Sequence, residues 1–138
     1  MFKPSPKVVA ALRERVDAAS LDAELASRRP DLTALLLQTA RDGGELGREL
    51  TAAVCRAACA RLGLLHPGAS IEVRVPPFAA VQIGFGSGPR HTRGTPPNVV
   101  EFTPETFIDL VVGRLTWGEA NVRASGVHAE EVARVFPF

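Results

Sequence analysis

Two arginines and a histidine fall close together at Arg90, His91 and Arg93, inside the run Gly88-Pro89-Arg90-His91-Thr92-Arg93-Gly94-Thr95-Pro96-Pro97-Asn98. Prolines pre-order such a loop, glycines let the backbone approach a ligand closely, and hydroxyls add donors. A guanidinium presents a planar fork of N–H groups that suits a carboxylate or phosphate. No carboxylate lies between Glu72 and Glu101, whereas Arg74, Arg90, His91 and Arg93 do, so a local positive patch is expected. Two readings of the loop arginines stand side by side: contact with an anionic ligand, or internal pairing with Glu101 or with helix carbonyls. His91 has no identifiable nucleophile or orienting acid beside it, so no catalytic residue is assigned.

Other reactive side chains give weaker patterns. Cys55 and Cys59 are one helical turn apart. Two ligands do not make a zinc site, which needs about four, and a disulfide at that helical spacing is strained. Buried, reduced thiols are expected, with no metal and no cofactor. His66, His91 and His128 lie far apart in sequence and form no HExxH motif. Gly84-Phe85-Gly86-Ser87-Gly88 resembles part of a phosphate loop, but it opens no predicted helix and reads better as a hairpin tip.

The elements that must position these groups follow from hydrophobic period. Ser5-Pro6 starts a helix carrying Val9, Leu12, Val16 and Ala19 at helical spacing. Asp31 caps a second, with Leu32, Leu35, Leu36 and Thr39 on one face, stopped by Gly43-Gly44. A third runs from about Glu45 to Leu65, with the stripe Leu46, Leu50, Val54, Ala58, Leu62 and Leu65. After His66-Pro67-Gly68 the period changes to two. Ile71 to Val75, then Val81, Ile83 and Phe85, then Asn98 to Phe102 read as strands. Thr103-Pro104-Glu105 opens a helix, Thr116 to Glu119 forms a capping box, Val122 to Ser125 is a last short strand, and 129–136 an amphipathic turn or two. The pattern alone therefore counts four strands.

A length of 138 residues is that of one domain. The expected division is a helical part over 1–68 and a sheet with covering helices over 69–138. A hydrophobic fraction of 46% against 22% charged excludes a disordered chain. Sixteen Lys and Arg against fifteen Asp and Glu give a net charge of +1, which excludes a basic nucleic-acid footprint on the scale of the whole chain. No run of about 18 apolar residues is present to span a membrane. Met1 to Lys7 leads into a charged helix pattern and not an apolar signal segment, so the expected compartment is the cytoplasm.

Three stretches together resemble a bacterial family of sterol carrier proteins. They are Ile71-Glu72-Val73-Arg74-Val75-Pro76-Pro77-Phe78-Ala79-Ala80-Val81-Gln82, the loop from Gly88 through Asn98 to Glu101, and Gly113-Arg114-Leu115-Thr116-Trp117 followed by Ala120 and Val122-Arg123-Ala124-Ser125-Gly126. The resemblance covers about 69–136 closely, fits 45–68 in position and pattern, and does not reach 1–44. It implies a sterol-carrier-like α/β (α+β) fold: a five-stranded, mostly antiparallel sheet covered by helices, with an apolar tunnel between the layers. The fifth strand would come from around Pro77 and Phe78 or from 127–138. The family places more residues before the last strand than the Ala120-Asn121-Val122 found here; a left-handed Asn121 would end the short helix.

On that resemblance the first functional reading is a non-catalytic carrier for a hydrophobic or amphipathic small molecule, such as a lipid, sterol-like or acyl ligand. Phe78, Val81, Ile83, Phe102, Phe107, Val111 and Trp117 would line the cavity, and Arg90, His91 and Arg93 would stand at its mouth. The alternative is an enzyme, or the accessory domain of one, acting on a small anionic metabolite at the Arg90/His91/Arg93 loop. The fold also accompanies mycothiol-dependent isomerases, but His66 is the only histidine in the helical half here, so no three-residue metal set is present there.

Overall fold

The structure is a computed structural model and describes residues 2–3, 5–86 and 96–138. Helix α1 spans Pro6–Arg13, with Ser5 Oγ accepting from the Val8 amide at 3.3 Å. The single helix expected through Ala19 is instead two. Asp17 is in a non-helical conformation and its carboxylate accepts from the Ser20 amide at 3.0 Å, starting α2 at Ala18–Leu25. An N-cap aspartate satisfies an otherwise orphaned amide, and here it outweighs the continuing apolar period. Asp31 secures the entry to α3, Thr33–Asp42, by accepting from the Thr33 amide and hydroxyl at 3.0 and 2.6 Å.

Helix α4, Gly47–Leu65, is the central element, about 28 Å long at the α-helical rise of ~1.5 Å per residue. It buries Leu50, Val54, Ala58 and Leu62 and packs against α1 and α3. Leu65 departs from the expected stripe: it is 57% exposed, at the last helical position, where no further turn continues the buried face.

The sheet contains β1 (Ile71–Val75), β2 (Ala79–Ile83), β3 (Asn98–Glu101) and β4 (Arg123–Ser125), in the order β2-β1-β3-β4. β1 pairs antiparallel with β2 and parallel with β3, and β3 pairs antiparallel with β4. Ile71, Val73, Val75, Ile83 and Val100 are buried on one face. Glu72, Arg74 and Glu101 alternate onto the other, where Arg74 pairs with Glu72 and Arg123 lies 3.6 Å from Glu101. Glu101, the acid offered as an internal partner for the loop arginines, is thus beside a cross-strand arginine.

Among the described residues the sheet has four strands, not five. Pro76 and Pro77, which lack amide donors, make the β1–β2 turn, and the Phe78 amide closes it on the Val75 carbonyl at 2.9 Å. The other candidate segment forms a 3₁₀ helix, Ala129–Val135, whose buried Ala129, Val132 and Val135 recur at the three-residue period of that helix. It packs against β3 and β4.

Helix α5, Pro104–Val112, is capped by Thr103 Oγ1, which accepts from the Thr106 amide at 3.2 Å, and ends at left-handed Gly113. It packs against α3 and α4. The Thr116–Glu119 box forms as expected around a 3₁₀ turn, Trp117–Glu119. Asn121 is not left-handed: no described non-glycine residue has a positive φ. The Ala120 amide donates to the Thr116 and Trp117 carbonyls, and the short helix ends on that turn. The core cluster runs from Val8 in α1 to Val135.

Candidate functional site

Between the sheet and α5 the side chains close on one another. Phe107 and Val111 are fully buried and Phe102 is 2% exposed; Ile83, on β2 against α4, is fully buried too. The Phe102 and Phe107 ring centroids are 5.6 Å apart, and Phe136 meets both edge-on at 5.8 and 6.0 Å. Trp117 is half-buried, edge-on to Phe102 and stacked with Phe136 at 6.4 Å. These aromatic contacts are ordinary edge-to-face and offset packing at van der Waals distance.

The open space lies elsewhere, along α4. A groove of about 530 Å³ is walled by the α3–α4 turn, the first turns of α4, the β1–β2 turn and α5. Its apolar lining is Leu46, Phe78 and Ile108; Arg48, Thr51, Glu105, Asp109 and Arg114 supply the polar groups. Local sequence explains each wall. Gly43 and Gly44, both with φ near +80°, make a turn that other residues adopt only with strain. Arg15 holds that turn by donating to the Glu45 and Gly43 carbonyls at 2.8 and 3.0 Å. Arg114 donates to the Ala40 carbonyl at 2.7 Å and to Asp109 at 3.0 Å, tying the end of α5 to α3.

Phe78 is the hub. The Arg48 guanidinium lies 5.4 Å from its ring centroid, and Arg56 donates to its carbonyl at 3.3 Å. A second cleft, of about 370 Å³, continues past it between Arg56, Cys59 and Ala60 of α4 and Ala79 to Val81 of β2. A third, of about 380 Å³, opens on the other side of the turn beside Glu72, Arg74 and Glu101. Cys59 reaches the second cleft with only 2% of its surface exposed, and Cys55 is fully buried. Both thiols are free, as expected, and burial pushes the pKa of each up to about 12.

Of the residues proposed from sequence to touch a ligand, Phe78 and Val81 line these clefts. Ile83, Phe102, Phe107, Val111 and Trp117 do not line any of the three. Arg90, His91 and Arg93 lie outside the described residues. Sequence reasoning missed Arg48, Thr51 and Arg56. A partial signal was present: Arg48 and Thr51, three residues apart, are polar neighbours on a helix that is otherwise mainly apolar. Among the described residues there is no cluster of three or more metal-ligating His, Cys, Asp or Glu side chains, and no helix long and apolar enough to cross a membrane.

Helices layered on one face of a mixed sheet, with clefts between the central helix and the sheet edge, define an α+β architecture of the kind the sequence resemblance implied. Residues 47–138 match the family described as bacterial SCP ortholog, and the chain belongs to that sterol-carrier-like family. The match begins at the first residue of α4, so it takes in the central helix as well as the sheet and leaves α1, α2 and α3 outside. No curated protein matches the chain.

Proposed function

We propose that the protein is a non-catalytic carrier for a hydrophobic or amphipathic small molecule, of lipid, sterol-like or acyl type, seated in the groove at the amino-terminal end of α4. The observation that carries this reading is the groove itself, in a member of a sterol-carrier-like family. Its volume of about 530 Å³ falls within the ~300–1,000 Å³ of small-molecule sites, and its three apolar side chains stand beside polar and charged ones that fix orientation. Leu46, Phe78 and Ile108 take the apolar body of the ligand; Arg48 stands at the polar side. Arg90, His91 and Arg93 are proposed, on sequence grounds alone, to contact an anionic head group.

Displacement of a fluorescent fatty acid by palmitate, together with native mass spectrometry of gently purified protein, tests the reading. Thr51→Trp fills the groove from half-buried Thr51 and is expected to weaken palmitate binding about tenfold or more, while circular dichroism stays unchanged. Arg93→Ala is expected to weaken it about tenfold with the melting temperature unaltered. Absence of co-purified lipid together with no displacement by palmitate overturns the carrier function.

A further inference from the structure

The groove and the second cleft lie end to end along α4, and one side chain belongs to both. Arg48 and Thr51 line the first, Arg56, Cys59 and Ala60 the second, and Phe78 lines each of them. Spacings of three and eight residues, one and about two turns, place Arg48, Thr51 and Cys59 near one side of the helix. From Arg48 to Ala60 the helix rises about 18 Å at ~1.5 Å per residue. That length suits an extended chain better than a compact ring system. We propose that Phe78 is a specificity-determining residue: its ring partitions one continuous channel and thereby sets how long an acyl chain the protein accepts. The proposal rests on the carrier reading and adds to it the ligand shape, a single extended tail, and the residue that measures it.

The backbone and the side chain of Phe78 are held very differently. Its amide donates to the Val75 carbonyl at 2.9 Å and its carbonyl accepts from Arg56 at 3.3 Å, so the main chain is fixed on both sides. The ring is half-buried and covered by the guanidinium of Arg48, an exposed residue at the end of a flexible stem. A rotamer change therefore moves the ring without moving the turn, and such changes are fast for side chains that are not locked in a core. Beyond the ring the cleft is lined by Arg56 and by the smaller Cys59, Ala60, Ala79, Ala80 and Val81, so no second ring follows the first.

The test is the dependence of affinity on chain length, which a merely structural role would not move. Octanoate, decanoate, myristate and palmitate each displace a fluorescent fatty acid from the wild-type protein, Phe78→Ala, Phe78→Leu and Phe78→Trp, with melting temperatures recorded for all four. In the wild type the affinity is expected to stop rising at medium length. In Phe78→Ala it rises further, so that the preference for palmitate over decanoate grows about tenfold. Phe78→Trp shifts the plateau to shorter chains, and Phe78→Leu, which keeps an apolar side chain in the turn, reads the shift should the alanine variant fail to fold. Equal profiles in wild type and variants overturn the partition while leaving the carrier function standing. No binding of any acid by the wild type overturns both.

Discussion

Two apolar regions of this molecule draw on the same residue types and end differently. Between the sheet and α5, Phe102 and Phe107 pack ring against ring with Phe136, and Phe102, Phe107 and Val111 are buried. Along α4, Leu46, Phe78 and Val81 border open clefts. The difference lies in what stands opposite them. Phe107 faces other large side chains, Phe102 and Phe136, which meet it ring against ring. Phe78 faces one exposed guanidinium on one side, and its clefts are bordered elsewhere by polar side chains such as Thr51, Glu105 and Arg56 and by small residues such as Gly44, Gly47, Ala60 and Ala80. Small residues and a glycine turn leave room where large apolar partners would fill it.

Replacing one phenylalanine from each region gives the sharpest contrast. Phe107→Ala removes a ring from a dense cluster and is expected to lower unfolding stability by about 3–5 kcal/mol. Phe78→Ala, at a half-buried position bordering open clefts, is expected to lower it by less than about 1 kcal/mol. Urea unfolding of both variants measures the pair. Equal losses would mean that the ring of Phe78 is packed as tightly as the core.

The same contrast explains what could be read from the chain beforehand. Local signals were legible: Ser5-Pro6 and Thr103-Pro104 start helices, Thr116 and Glu119 form their box, and strict alternation marks β1. The Asp17 break went unread because a capping residue sat inside an uninterrupted apolar period. The four strands visible in the pattern are the four described; the fifth came from the family resemblance and is not among them. Which apolar residues line space could not be read, because Phe78 and Phe107 have the same side chain and differ in their partners, which include residues distant in sequence, Arg48 for Phe78 and Phe136 for Phe107. Helix α4 showed its apolar stripe, but its open side depends on where the β1–β2 turn falls.

Asn98 is the clearest residue of this non-local kind. It is 1% exposed, donates to the Ser70 carbonyl at 3.0 Å and accepts from the His128 amide at 2.9 Å. It thereby ties the start of β3 to the chain before β1 and to the start of the carboxy-terminal 3₁₀ helix. Gly126 stands so close to it that a Cβ there would fall 2.6 Å from the Pro97 carbonyl oxygen. Asn98→Ala leaves a carbonyl and an amide without their partner and is expected to lower stability by about 1–3 kcal/mol. Because this knot belongs to the packed region, fatty-acid affinity per folded molecule should not change. A loss of affinity at constant stability would show that the two regions are coupled.

The effect smallest at neutral pH concerns the thiols on α4, which sit between the two regions. Burial is the main cause that raises Cys55 and Cys59 from an ordinary value of 9.0 to about 12; the Glu105 carboxylate adds to it for Cys55. The folded protein therefore retains two protons that the unfolded chain releases near pH 9. The resulting stabilisation is complete below about pH 9 and declines as pH rises toward 12. In urea titrations, the wild type should lose more stability between pH 8 and pH 10 than a Cys55→Ala, Cys59→Ala double variant, whose unfolded state has no thiols to ionise. Only the thiolate is a strong nucleophile, so at pH 8 a disulfide reagent should leave both native cysteines unmodified and react with both once urea unfolds the chain. Cys59 makes the result informative, because it borders the second cleft while remaining 2% exposed. Rapid modification of Cys59 alone in the native protein would show that the cleft opens as far as the sulfur. Neither thiol reacting, with the pH-dependent difference present, would place the wall of the channel at Ala60 and Val81 and the edge of the packed core at Cys59.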